Sequence, residues 1–210
     1  MEVRDKIVEK AGELMLMYGI RTVTMDDISR DLGISKKTIY QYFKDKKDLV
    51  NTITALHLDI EKSRFESTEL RSENSVHELI LISQCLRESI KDMRMNVLND
   101  LQKFYPEAWK MFENFKRNTM LCSITRVIIK GQEEGYFRKE IDPHLISIMR
   151  MEQVHTFIIN QNLYPKEKYT LAEVQMQLFD HFVHGLFTPA GYQLFNQYTT
   201  AKLKSNETLS

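Results

Sequence analysis

Lys36, Lys37, Tyr40 and Gln41 fall on the outer side of a short helical pattern whose inner side carries Ile39 and Phe43, four residues apart. Two ammonium groups, a phenol and an amide so arranged make a compact hydrogen-bonding surface, which a base edge or a phosphate would meet. Lys44, Lys46 and Lys47 extend the positive charge, with only Asp45 opposing them. The charge is local. Across the chain 29 lysines and arginines balance 29 aspartates and glutamates, which excludes a protein that wraps nucleic acid over its whole surface.

Presenting those side chains needs a rigid frame, and the flanking residues supply its signals. Thr24 is a good N-cap, and Asp27 can return the bond as in a capping box. Ile28 and Leu32 then recur on one face, which predicts a helix starting near Met25. Gly33 follows where the chain must turn and where positive φ comes without steric cost, and Ser35 caps the next helix. Thr24 to Lys46 thus reads as two short helices joined by a tight turn, an arrangement that puts the second helix into a DNA major groove. Ile7, Ala11, Leu14 and Tyr18 form a core-facing stripe for a preceding helix ended near Gly19. Leu49, Ile53, Leu56 and Ile60 repeat the step in a fourth helix, a lever between the reading head and the C-terminal part of the chain. Tyr18, Ile39 and Phe43 are read as core.

Taken together, Tyr18-Gly19, Thr24 to Ser29, Leu32 to Ser35, Lys37 to Phe43 and Lys46 to Leu49 resemble the TetR/AcrR-type transcriptional regulators over about fifty consecutive positions. Ser29 departs from the family's frequent alanine, and Lys37 from its frequent glycine. The resemblance implies an all-α protein: an N-terminal three-helix helix-turn-helix domain with connecting helix, residues 1–62, and a larger C-terminal helical ligand-binding and dimerisation domain, residues 63–204. It also implies roles. Lys36, Lys37 and Tyr40 match positions that approach base edges, and outward-facing Gln41 is counted with the DNA-binding residues; Thr24, Thr38, Tyr42 and Lys46 match positions that bind phosphate. Lysine can donate to guanine O6 and N7, and hydroxyls to phosphate oxygens.

Beyond residue 62 the punctuation predicts helices. Polar Ser67 to Ser75 reads as a loop, followed by a helix from Val76 to Met93. Pro106 interrupts or begins a helix, Trp109 to Glu134 reads as one long helix, and Gly135 ends it. Helices near Pro143 to Asn160 and Leu171 to Phe187 follow, with residues 205–210 a disordered tail. The last of these helices is apolar over a wide arc: Leu171, Val174, Leu178, Phe182 and Leu186, widened by Phe179, Val183 and Phe187. A partner should cover the excess. The resemblance makes that partner a second copy, whose reading head would sit about 34 Å away to meet a near-palindromic site.

The resemblance further implies a small, apolar or aromatic ligand in the C-terminal domain, for which Met93, Phe104, Trp109, Phe112, Met149 and Phe157 offer adaptable surface; Met95, Tyr105 and Met151 belong to the same set. Binding that prefers the DNA-incompetent spacing of the heads would release the DNA. No cofactor or metal is expected. Glu152-x-x-His155 lacks the second copy that di-iron bundles use, and the pair His181 and His184 lacks further ligands. No phosphate loop or nucleophile elbow is present, so the chain is read as a non-enzyme. Cys85 and Cys122 have no CxxC pairing and are read as small buried side chains in a reduced compartment. No charged-then-apolar leader opens the chain and no apolar run approaches the roughly twenty residues of a membrane span, which predicts a cytoplasmic protein. The expected function is sequence-specific DNA binding by a repressor that a small molecule releases. The alternative is a ligand-independent, DNA-bound adaptor that recruits a protein.

Overall fold

A computed structural model of the chain describes residues 2–91, 95–159, 164 and 168–207. The elements are α1 (Val3–Tyr18), α2 (Met25–Leu32), α3 (Lys36–Tyr42), α4 (Lys46–Arg71), α5 (Ser75–Lys91), α6 (Met95–Phe104), α7 (Pro106–Phe115), a π-helical stretch (Lys116–Leu121), α8 (Cys122–Glu133), α9 (Pro143–Ile159), α10 (Leu171–Leu186) and α11 (Pro189–Glu207). Among the described residues the extended pairing is an isolated bridge between Phe137 and Phe187. The chain is all-α. No helix among them is long and apolar enough to cross a membrane.

Two compact units share the chain. The first holds residues 1–63 and 89–116, the second residues 64–88 and 117–210. In the first, α1 packs on α2 and α3, and α2 on α3, around Ile7, Ala11, Met15, Ile28, Ile39 and Phe43. Burying each of the larger side chains contributes roughly 1.5–3 kcal/mol before the cost of ordering the chain. The inward row of α1 ends on Met15, not on Leu14 and Tyr18 as the spacing predicts: Tyr18 is 57% exposed. The Gly19 N–H closes on the Met15 carbonyl at 2.9 Å, and Ile20 and Val23, buried in the turn, take the place expected of Tyr18.

The lever helix is longer than its pattern suggests. Ser67 to Arg71 continue α4 rather than forming a loop, because the hydroxyls of Ser67 and Thr68 donate to the carbonyls of Arg64 and Phe65, so their polarity is spent inside the helix. Leu56 and Ile60, expected inward, are exposed, while Leu49, Val50, Glu61, Phe65 and Thr68 are buried. The predicted long helix from Trp109 is broken in winding by the π-helical stretch. Cys122 is exposed, with its Sγ against the Arg117 carbonyl, whereas Cys85 is buried as expected.

The second unit closes around a turn that the sequence marks well and a helix that it hides. Gly135 takes φ 79°, and Asp142 caps α9 by accepting from the Leu145 N–H at 2.7 Å. The Thr188 N–H then donates to the Tyr136 carbonyl, Arg138 N–H to the Leu186 carbonyl, and the rings of Phe137 and Phe187 stack at 5.1 Å. α11 follows and runs through Glu207, so residues 205–207 are helical rather than tail. Its Gly191 lies so close to the 135–138 turn that a Cβ would stand 2.1 Å from the Tyr136 carbonyl oxygen. We expect Gly191→Ala to lower stability by about 1–3 kcal/mol, a shift that denaturant unfolding would show; an unchanged midpoint would mean that α11 is not docked on that turn.

Candidate nucleic-acid interface

The presentation of α3 begins with hydrogen bonds that its own flanks dictate. The Thr24 hydroxyl accepts from the Asp27 N–H at 3.1 Å and donates to its carboxylate, which also accepts from the Thr24 N–H at 2.9 Å. Those bonds from Thr24 hold the Asp27 carboxyl below its ordinary range, with a smaller contribution from Arg30 and Lys46. α2 ends in a left-handed Gly33 at φ 64°, with Ile34 N–H bonded to the Ser29 carbonyl, and Ser35 then caps α3 by accepting from Thr38 N–H at 3.0 Å. The capping-box aspartate, glycine turn and serine cap set the angle of α3 from its own flanks.

On that frame Ile39 and Phe43 are buried, and Lys37, Tyr40, Gln41 and Tyr42 are exposed. Thr38 is half-buried, its hydroxyl within 2.8 Å of the Ser35 hydroxyl. Ser29 is buried and donates to the Asp26 carbonyl, so a hydroxyl is accommodated at that position. Lys36 is exposed but engaged: its ammonium sits 3.0 Å from the Asp26 carboxylate, which raises its pKa. An exposed pair of this kind is weak, screened by solvent and salt, so an incoming phosphate or base can displace it.

Residues 7–53 match the model of bacterial regulatory proteins of the tetR family. The chain is also 25% identical over 191 residues to YvaF of Bacillus subtilis, described as an uncharacterized HTH-type transcriptional regulator, covering 86% of this chain and 94% of that one. Residues 7–53 thus resemble the N-terminal domain of TetR-family regulators. An HTH-type transcriptional regulator of Staphylococcus aureus is 26% identical over 155 residues, covering 63% of this chain and 83% of its own. Among solved structures, a transcriptional regulator from Saccharomonospora viridis in complex with choline shares the fold at TM-score 0.76 and 19% identity, over 88% of this chain and 97% of that one. FadR of Bacillus subtilis in complex with stearoyl-CoA does so at 0.64 and 18%, over 86% and 98%.

Lys46 ties this head to distant residues in a way that escapes sequence reasoning. Lys46, at the start of α4, donates to the Arg21 carbonyl at 3.2 Å. Burial lowers its pKa, the Asp100 carboxylate raises it, and Arg21 lowers it again. Asp100 belongs to α6; it accepts from the Arg21 N–H at 3.1 Å, while the Arg21 guanidinium lies 4.5 Å from the Phe104 ring centre. On the next helix Glu107 accepts from the Asn51 amide at 2.5 Å. α6 and α7 are therefore tied to the head and to the lever within one unit. Arg21 and Asp100 lie 79 positions apart, and no local pattern announces such a pair.

The residues expected to line a ligand cavity are divided between the two units. Phe104, exposed beneath Arg21, lies in the first unit with half-buried Trp109 and Phe112, whose rings are 5.3 Å apart. Phe157 is buried in the second unit, 5.8 Å from the ring of Tyr164. Met149 is 57% exposed, because α9 turns Ser147, Arg150, Met151 and Val154 inward instead. Met93 lies outside the described residues. His155 faces Glu152 at 3.7 Å and His184 bonds to the Asp180 carbonyl, and among the described residues no three metal-binding side chains come together.

Proposed function

We propose that this TetR-family regulator is a cytoplasmic repressor that binds operator DNA as a homodimer and is released by a small molecule. The observation that carries the DNA half is the display of Lys37, Tyr40 and Gln41 on a helix locked by Thr24, Asp27, Gly33 and Ser35. Lys36, Lys37, Tyr40 and Gln41 read base edges, while Thr24, Thr38, Tyr42 and Lys46 hold phosphate. The head comprises residues 1–62 and the regulatory and dimerising region residues 63–204. Support for dimerisation lies on α9 and α10, where Leu145, Ile148 and Met149 of the first and Met176 of the second are exposed apolar side chains that a second copy would cover. Support for an effector comes from relatives of the same fold solved with choline and with stearoyl-CoA.

Release works through the lever. A ligand that prefers one placement of α6 biases Arg21, Asp100 and Lys46 together, and so the tilt at which α4 offers the head to DNA. Lys46→Ala should weaken binding to all sequences and reduce the salt dependence by about one counterion. A salt titration with an unchanged slope would remove Lys46 from the phosphate contacts. The function as a whole is tested with a reporter placed behind DNA selected by the protein. Expression should fall when the protein is present and recover with an effector. Expression that rises, or that responds only when a partner protein is added, would contradict repression by a ligand-released dimer.

A further inference from the structure

The interior of the second unit contains positive charge without its complement. Arg150 on α9 is 5% exposed, and its guanidinium lies 5.6 and 5.3 Å from the ring centres of Phe179 and Phe182 on α10. It donates to the side-chain amide oxygen of Gln153 at 2.7 Å, and among the described residues it has no acidic partner. Arg87, half-buried on α5, donates to the Ser83 hydroxyl at 2.8 Å and is influenced by Glu88, its exposed chain neighbour. Burial first, and the nearby Arg87 second, push the Arg150 pKa down to about 10. One turn before Phe179 on the same face of α10 lies Gln175, 6% exposed, whose amide nitrogen has no hydrogen-bond partner.

Two like charges, with an unsatisfied donor one turn along α10 from a ring that Arg150 faces, are costly to bury, and each finds relief in the same thing, an anion. The aromatic faces offset part of the charge but accept no hydrogen bond in the plane of the guanidinium fork. That fork matches a carboxylate in two-point geometry. We propose that Arg87, Arg150 and Gln175 form a binding site for a carboxylate carried on an apolar body, the body lying against Phe179 and Phe182. The proposal rests on the ligand-released repressor for its consequence, since it gives that repressor's effector a chemical class: an organic acid.

The test is calorimetry on the full chain without DNA, using decanoate, benzoate, neutral decanamide and inorganic phosphate. Decanoate or benzoate should bind wild type at least tenfold more tightly than decanamide or phosphate. Arg150→Met should lose that tenfold preference yet unfold at the same temperature as wild type or higher, because it removes a charge with no partner. Should Arg150→Met not fold, the same comparison is read on Arg87→Met and Gln175→Leu. Equal binding of decanoate and decanamide, undiminished carboxylate binding in the variants, or no carboxylate binding at all would overturn the proposal. Carboxylate binding that leaves the operator complex intact would contradict the regulatory function and leave the site standing. Release of the operator from Arg150→Met by a neutral molecule would do the reverse.

Discussion

Lys37→Ala/Tyr40→Ala is expected to lower operator affinity by roughly thirtyfold or more, because each well-placed base contact supplies about 1–3 kcal/mol of discrimination. The pair is chosen for its freedom: both side chains are exposed on α3, and neither is tied into the caps that hold the helix. Lys36→Ala alone should cost less, since its ammonium gives up the Asp26 pair to reach DNA. Thermal stability should stay close to wild type, as Ile39 and Phe43 still anchor the helix. A double variant that binds the operator like wild type, measured by fluorescence anisotropy at fixed salt, would take base reading away from α3.

The second large effect is on stability, in the second unit. Glu78 of α5 is fully buried, and its carboxylate is met by Arg126 of α8 at 2.6 Å and by Lys130 at 3.3 Å. Arg126 also reaches Glu69 at 3.0 Å, so one guanidinium joins α4, α5 and α8. Replacing Arg126 with methionine leaves a buried carboxylate with the more distant Lys130 alone, and we expect a loss of about 3 kcal/mol, the lower end for breaking a buried pair because Arg126 is itself about a third exposed. Glu78→Met/Arg126→Met should recover much of that loss, since the double variant strands no charge. Denaturant unfolding distinguishes the cases. A loss under about 1 kcal/mol for Arg126→Met, or a double variant worse than the single, would show that the network does not hold the helices as described.

The head was legible because its signals are local. Thr24 and Asp27, Gly33, and Ser35 each act within a few positions, so their residue types announce the turn that the structure contains. Where the outcome depended on packing or on bonds that residue types do not announce, the pattern misled. Tyr18 and Leu14 share the spacing of a core stripe, yet the turn after Gly19 brought Ile20 and Val23 inward instead. Ser67 and Thr68 read as loop because composition cannot show that their hydroxyls bond back to their own helix. α11 went unread, since its docking depends on Gly191 meeting the Tyr136 carbonyl 55 positions earlier. The same limit applies to Arg21 and Asp100, and to Arg87 and Arg150, whose importance lies in what surrounds them rather than in their spacing.

The central claim is that α3 reads a specific sequence in a symmetric site. Selection of bound sequences from a random double-stranded DNA pool, wild type beside Lys37→Ala/Tyr40→Ala, tests it directly. Enrichment by wild type of a two-fold palindrome, with half-sites about 34 Å or one helical turn apart and lost in the variant, is the result expected. Enrichment of no motif by wild type, or of the same motif by both proteins, would contradict it.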